Sequence, residues 1–169
     1  IKNIADKPIT KNVAKYHEDI VNLYDNYEIL EEHTDKKTGM TAYVLGEKNK
    51  PAGEKGVEIF YAGSIGFNPA DPNSTKDWSN NAASYGMVPG NYEAALRFAD
   101  QVNARYSNGY KGYNKGVLGV NGHSKGGGEA MYVGSKRGFK TLLIDPAMLV
   151  DPGKYIDSGK ILSIQPGNG

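Results

Sequence analysis

Apolar positions along the chain switch between helical and strand spacing, and each switch marks an element. Val13, Tyr16, Ile20 and Tyr24 recur at helical intervals, which predicts an amphipathic helix over 11–24. Tyr27 to Glu32 and Met40 to Leu45 read as strands. Thr34-Asp35-Lys36-Lys37-Thr38-Gly39 between them is turn chemistry, so the pair predicts a hairpin. A polar loop over Pro51 to Gly56 leads to the strand Val57-Glu58-Ile59-Phe60-Tyr61, which ends at Ala62-Gly63-Ser64. Residues 65–90 lose periodicity and are rich in Asn, Pro, Ser and Gly, and a loop that long within a compact domain is usually functional or mobile. Helical spacing returns with Tyr92, Ala95, Leu96, Ala99, Val102 and Tyr106, entered after Pro89-Gly90-Asn91. A Gly/Asn/Tyr-rich connection then reaches the strand Val117-Leu118-Gly119-Val120. The next helix stops at Arg137-Gly138, and Thr141 to Ile144 and Lys160 to Ile164 are two further strands.

Strands alternating with helices predict an α/β fold: a mostly parallel, three-layer sandwich behind an amino-terminal hairpin, as one domain over 1–169. The length suffices for one domain with a substantial core. No internal repeat is visible.

The most informative segment is Gly122-His123-Ser124-Lys125-Gly126, a Gly-x-Ser-x-Gly pentapeptide between a strand pattern and a helix pattern. In a nucleophile elbow the serine occupies a strained turn that lifts its hydroxyl above the sheet edge. Flanking glycines are needed because a Cβ would collide with a neighbouring strand or helix. Two duller readings compete, since 22 glycines make chance matches easier and a Gly-rich strand–helix turn can bind phosphate. The phosphate loop, however, needs Gly-Lys followed by Ser or Thr, whereas here the order is Ser-Lys-Gly. The dinucleotide fingerprint fails as well, because Met131 stands where its third glycine belongs. The elbow is the reading that fits.

Composition narrows the chemistry. A net charge of +1 gives no drive toward nucleic acid, and Lys36-Lys37 falls in a turn. No apolar run approaches the ~20 residues of a membrane span. Cysteine is absent, which excludes disulfides and thiolate-bound metals. His17, His33 and His123 lack ligand spacing, so neither metal nor cofactor is expected. Neither an initiating Met nor a signal peptide is seen, and a processed or trimmed product is expected. Trp78 has two readings, an anchor pinning its loop to the body or part of a substrate-facing lid. The anchor is the commoner fate of an aromatic.

Ser124 would attack an ester carbonyl and form an acyl-enzyme. The Lys125 backbone N–H, directly after it at a helix N-terminus, would receive the oxyanion, and a second donor should come from the Gly63-Ser64 turn. Ser64 could equally be an ordinary turn serine. His123 adjoins the serine on a turn, and its ring cannot easily reach the Ser124 hydroxyl. A structural role behind the elbow is expected for it, with Gly122 and Gly126 making room.

Tyr61-Ala62-Gly63-Ser64, Asp77-Trp78 and Gly122-His123-Ser124-Lys125-Gly126-Gly127 together resemble the α/β-hydrolase lipases of the fungal-type (class 3) group and their bacterial relatives. The resemblance spans about residues 57–165. Ala62 stands where those lipases carry Arg, and Lys125 where Leu is common. It implies that Ser64 supplies an oxyanion N–H and often its hydroxyl. A lysine at 125 would suit an anionic head group, but a snorkelling surface side chain is the favoured reading. The resemblance also implies a lipid ester substrate, hence a lipase or phospholipase A. Its bacterial members include secreted effectors, which would require an immunity, inhibitor or chaperone partner; secretion is expected on that ground, the cytoplasm otherwise.

The base and acid are the gap. The fold's chain order is Ser, Asp/Glu, His, yet no histidine follows Ser124, while His17 and His33 precede the sheet core. The expectation is that the catalytic domain continues past Gly169, so that these residues alone would be inactive. Otherwise another chain supplies the histidine, or the domain is a catalytically dead relative. Asp145, in Leu143-Ile144-Asp145-Pro146-Ala147, resembles the Asp-Pro-Ala acid of pancreatic-type lipases, or it caps a turn. An acid beyond Gly169 is the favoured reading, and Asp151 and Asp157 are weaker candidates. A serine ester hydrolase therefore leads. A non-catalytic hydrolase-like binding module, or a thioesterase or peptidase on the same elbow, stands as the alternative.

Overall fold

The computed structural model describes residues 26–63, 90–144, 146 and the strand at 161–164. Its elements are β1 (Tyr27–Thr34), β2 (Thr41–Glu47), β3 (Lys55–Tyr61), α1 (Gly90–Tyr106), β4 (Tyr113–His123), α2 (Lys125–Arg137), β5 (Lys140–Ile144) and β6 (Ile161–Ile164). The six strands form one sheet whose spatial order repeats their chain order. β1–β2 and β2–β3 pair antiparallel, and β3 through β6 pair parallel, so β2 alone runs against the rest. The structure is α/β, as the alternation predicts. The predicted helix over 11–24 lies outside the described residues, which contain two of the three expected layers.

The hairpin turn closes as its residues dictate. Asp35 Oδ1 accepts the backbone N–H of Lys37 at 2.8 Å and of Thr38 at 3.1 Å, and the Gly39 N–H donates to the Asp35 carbonyl at 2.8 Å. Alternation along β3 then separates two faces. Val57, Ile59 and Tyr61 join Met40, Ala42 and Val44 in a large core beneath the helices. Phe60 joins Leu45 and Ile144 on the other face. A bulge after Ile29 leaves Leu30 packed against the helix-side core, while Glu31 accepts bonds from Arg105 and Tyr106 of α1.

Both crossovers, β3–α1–β4 and β4–α2–β5, advance the same way across the sheet, and crossovers of one hand put both helices on one face. The helices also pair with each other. Tyr132 donates to Glu93 at 2.7 Å, and Arg137 forks onto Asp100 at 2.7 and 2.8 Å. α1 buries Tyr92, Ala95, Ala99, Val102 and Tyr106 of the predicted stripe, with Ala94 and Phe98 added to it and the predicted Leu96 only partly buried. α2 is different: every residue from Lys125 to Gly134 is buried, because small residues let it lie close on the sheet. It stops at Gly138, which takes a left-handed conformation (φ 68°) and donates its N–H to Gly134.

Two boundaries differ from expectation. β3 begins at Lys55, inside the expected polar loop, because Glu47 Oε2 accepts the Gly56 N–H at 2.9 Å and draws that residue into the sheet. β4 begins at Tyr113 rather than Val117. Its first residues pair irregularly with β3, and Asn103 takes the Val117 N–H at 2.9 Å, so the hydrophobic pattern starts later than the strand.

Candidate active site

β4 ends at His123, α2 begins at Lys125, and Ser124 makes the whole turn between them. Its backbone sits at φ 53°, ψ −121°, a conformation that L-residues avoid, at a cost of roughly 1–3 kcal/mol. Neighbours hold it there. The Ser124 N–H donates to Ile144 at 3.1 Å, and the Ser124 carbonyl accepts the Gly127 N–H at 2.9 Å. Its hydroxyl does not cap α2, although serine is a preferred capping residue.

The glycines of the motif are explained by space. A Cβ on Gly122 would strike the Gly126 carbonyl and come within 2.7 Å of the Gly127 nitrogen. One on Gly126 would strike the Tyr61 carbonyl and approach that of Ala62 at 2.5 Å, and one on Gly127 would lie 2.7 Å from Pro146. The first turn of α2 thus rests directly on the ends of β3 and β5. Gly63 arrives at the same place: its Cβ would stand 3.3 Å from the Ser124 Cβ and 3.0 Å from His123 Nδ1. The Gly63 end of the turn singled out in the sequence is therefore against the serine, and Ser64 itself lies outside the described residues.

His123 is half-buried, and its ring lies against Gly63. His33 is far from the turn. The register runs His33–Ala42–Tyr61–Gly122, three strand spacings, about 14 Å. Its ring stacks on Phe98 at 4.6 Å. His17, Asp77, Trp78, Asp145, Asp151 and Asp157 lie outside the described residues. β5 ends at Ile144, the register partner of His123, so the described end of that strand lies beside the elbow. Among the described residues no three His, Cys, Asp or Glu side chains are grouped to hold a metal ion.

Lys125 corrects an expectation. It does not snorkel: its side chain is 2% exposed, with Nζ 3.9 Å from Glu129 Oε1 one turn along α2. Asn91, near the start of α1, donates to the same Glu129 oxygen at 2.9 Å. The first turn of α2 faces the core, so the side chain is carried inward to a buried carboxylate. Sequence reasoning missed Glu129 and Asn91, although the one acid of the helix, set among glycines and apolar residues four positions after a lysine, was a usable signal.

It also missed Glu58, the one acid in an apolar strand. Burial pushes its carboxyl up to about 7, against the opposing pull of the Asn121 side-chain hydrogen bond and the Lys140 charge; Glu47 raises it slightly further. Asn121 Nδ2 donates to Glu58 Oε2 at 3.0 Å.

No protein-family model and no curated protein sequence matches the chain. Solved structures do. The extracellular lipase LipA from Serratia marcescens superposes with a TM-score of 0.56 at 17% identity, over 88% of this chain and 28% of the lipase. A fungal lipase from an inhibitor complex gives 0.47 at 16% identity, over 82% of this chain and 59% of that one. A thermostable carboxylesterase cloned from a metagenomic library gives 0.39 at 20% identity, over 85% and 56%. The chain thus spans less than two thirds of each of these hydrolases. The Serratia superposition shows a shared α/β fold.

Proposed function

We propose that the chain carries the nucleophile half of a serine ester hydrolase, with Ser124 as the attacking residue. One observation carries the reading: a non-glycine residue held at φ 53° between a strand and a helix, its hydroxyl not spent on the cap and its neighbours glycines where any side chain would clash. Oγ adds to the ester carbonyl as its proton passes to an imidazole. The Lys125 N–H and a donor from the Gly63-Ser64 turn receive the negative charge on the carbonyl oxygen. Collapse expels the alcohol, which takes the proton, and water then releases the acid by the same route.

Of the described histidines, His33 lies three strands away and His123 is turned against Gly63. His17 precedes the sheet core, out of the fold's chain order. The imidazole we favour comes from chain beyond these residues or from another chain. Asp145 or a later acid orients it. The substrate we favour is a lipid carboxylic ester, on the motif likeness to lipases. The test is labelling of the full-length protein with a fluorophosphonate. The adduct should map to Ser124 and vanish in Ser124→Ala, and a folded protein that does not label overturns the reading in favour of a non-catalytic module.

A further inference from the structure

Beneath the elbow lie an ammonium and a carboxylate, Lys125 and Glu129, 2% and 0% exposed, with the buried amide of Asn91 bonded to the carboxylate. Stability does not account for them. Replacing a buried ion pair by well-packed apolar side chains is often neutral or stabilising. A cation in the first turn of a helix opposes the positive end of its dipole, and α2 has no acid in that turn to offset it. Asn91 Oδ1, also buried, meets no hydrogen-bond partner. Such an arrangement costs free energy.

Its location supplies a reason. Lys125 is the residue whose N–H follows Ser124. Asn91 stands where the chain re-enters the described fold after the 64–89 segment. Tyr61 ends β3 two residues before Gly63, and its hydroxyl is held protonated well above its ordinary range by burial and then by the charge of Glu129. Lys125 of α2 and Asn91 of α1 therefore converge on one carboxylate, whose charge is also felt by the Tyr61 hydroxyl where it donates to the Ala95 carbonyl at 2.8 Å.

We propose that Glu129 is a positioning residue: by holding Lys125 and Asn91 it ties the first turn of α2 to the start of α1, and so aims the Lys125 N–H at the oxygen that becomes negative. This rests on Ser124 being the nucleophile. A misplacement of about 1 Å in such a donor can cost on the order of a hundredfold in rate. A merely structural cluster would affect folding and leave turnover of the folded fraction unchanged.

Two variants of the full-length protein separate these outcomes. In the first, Asn91→Leu, Lys125→Met and Glu129→Met are combined, removing the ammonium, the carboxylate and the amide together. In the second, Glu129→Gln keeps the acceptor for Asn91 and deletes the charge. The triple variant should resist urea at least as well as the parent, yet phosphonylate Ser124 and turn over a p-nitrophenyl ester at least about tenfold more slowly, with KM unchanged within twofold. Glu129→Gln should show the same kcat loss. Parental rates in either folded variant overturn the proposal, and so does failure of both to fold, which would make the cluster a stability element. A parent that does not label at Ser124 refutes the nucleophile reading instead, and is seen before any variant is made.

Discussion

The two ends of β4 are both rich in glycine, and they need it for opposite reasons. At the amino-terminal end, Gly109 and Gly112 have φ of 84° and 81°, and an added Cβ would meet nothing closer than 3.4 and 3.6 Å. Those glycines supply a conformation, and the space around them is open. At the carboxy-terminal end neither Gly122 nor Gly126 has a positive φ, yet a Cβ on either would run into backbone. There the strained conformation belongs to Ser124, and the glycines supply room. An ordinary turn assigns the unusual dihedral to the residue best able to adopt it. The elbow assigns it to a residue that resists, then packs backbone on backbone so that it cannot relax.

The sharpest way to break that comparison is Gly126→Ala. Its clash is with main chain that cannot step aside, so a loss of about 3 kcal/mol or more is expected in urea unfolding. A loss below about 1 kcal/mol would mean that the elbow is not held by contact.

The middle of β4 offers a third use of glycine. A Cβ on Gly119 would stand 2.6 Å from Glu58 Oε2, so the missing side chain makes room for a buried carboxyl. Because that carboxyl is raised from 4.5 to about 7 in the fold, the folded protein binds its proton more tightly than the unfolded chain. Its contribution is therefore fully present at low pH and is lost as pH rises from about 4.5 to 7. Glu58→Gln should gain on the parent across that window, by on the order of 3 kcal/mol at pH 8, in paired unfolding curves. A gap that does not change with pH would count against a buried, proton-binding Glu58.

At the open end, Gly112→Ala should cost about 1–2 kcal/mol, the backbone penalty alone, and Gly112→Asn less. A loss as large as that of Gly126→Ala would erase the distinction between the two ends. The smallest effect concerns the strained residue itself. Ser124→Gly should raise stability by on the order of 1 kcal/mol, strain relief partly offset by the freer unfolded chain, while Ser124→Ala should not. Equal behaviour of the two would show that position 124 stores no strain.

Which features were legible follows from the range of the interactions involved. The hairpin was readable because Asp35 and Gly39 close it locally. The elbow was readable because each of its glycines reports a contact that every such turn must make. The start of β4 was not, since its pairing with Lys55 and the capture of the Val117 N–H by Asn103 are tertiary events. The burial of Lys125 was missed for the same reason. A lysine at a helix start reads as surface until the helix is seen lying on the sheet. Ser64 and Asp145 stand as sequence expectations, with Gly63 next to the first and Ile144 and Pro146 on either side of the second among the described residues.

The sheet order has a consequence for how the protein is made. Each strand pairs with the one synthesised just before it, so none must wait for a later strand to be inserted beside it. As the chain leaves the ribosome the sheet can grow by accretion, from hairpin to β3 to β4, with short-range pairings preceding distant ones. On that schedule β3 is already present as a template when Gly122 and Gly126 emerge. The carbonyl of Ile144, which accepts the Ser124 N–H, arrives about twenty residues after the serine. The turn at Ser124 would then become rigid after the strand that leads into it, set only when β5 is laid down next to it.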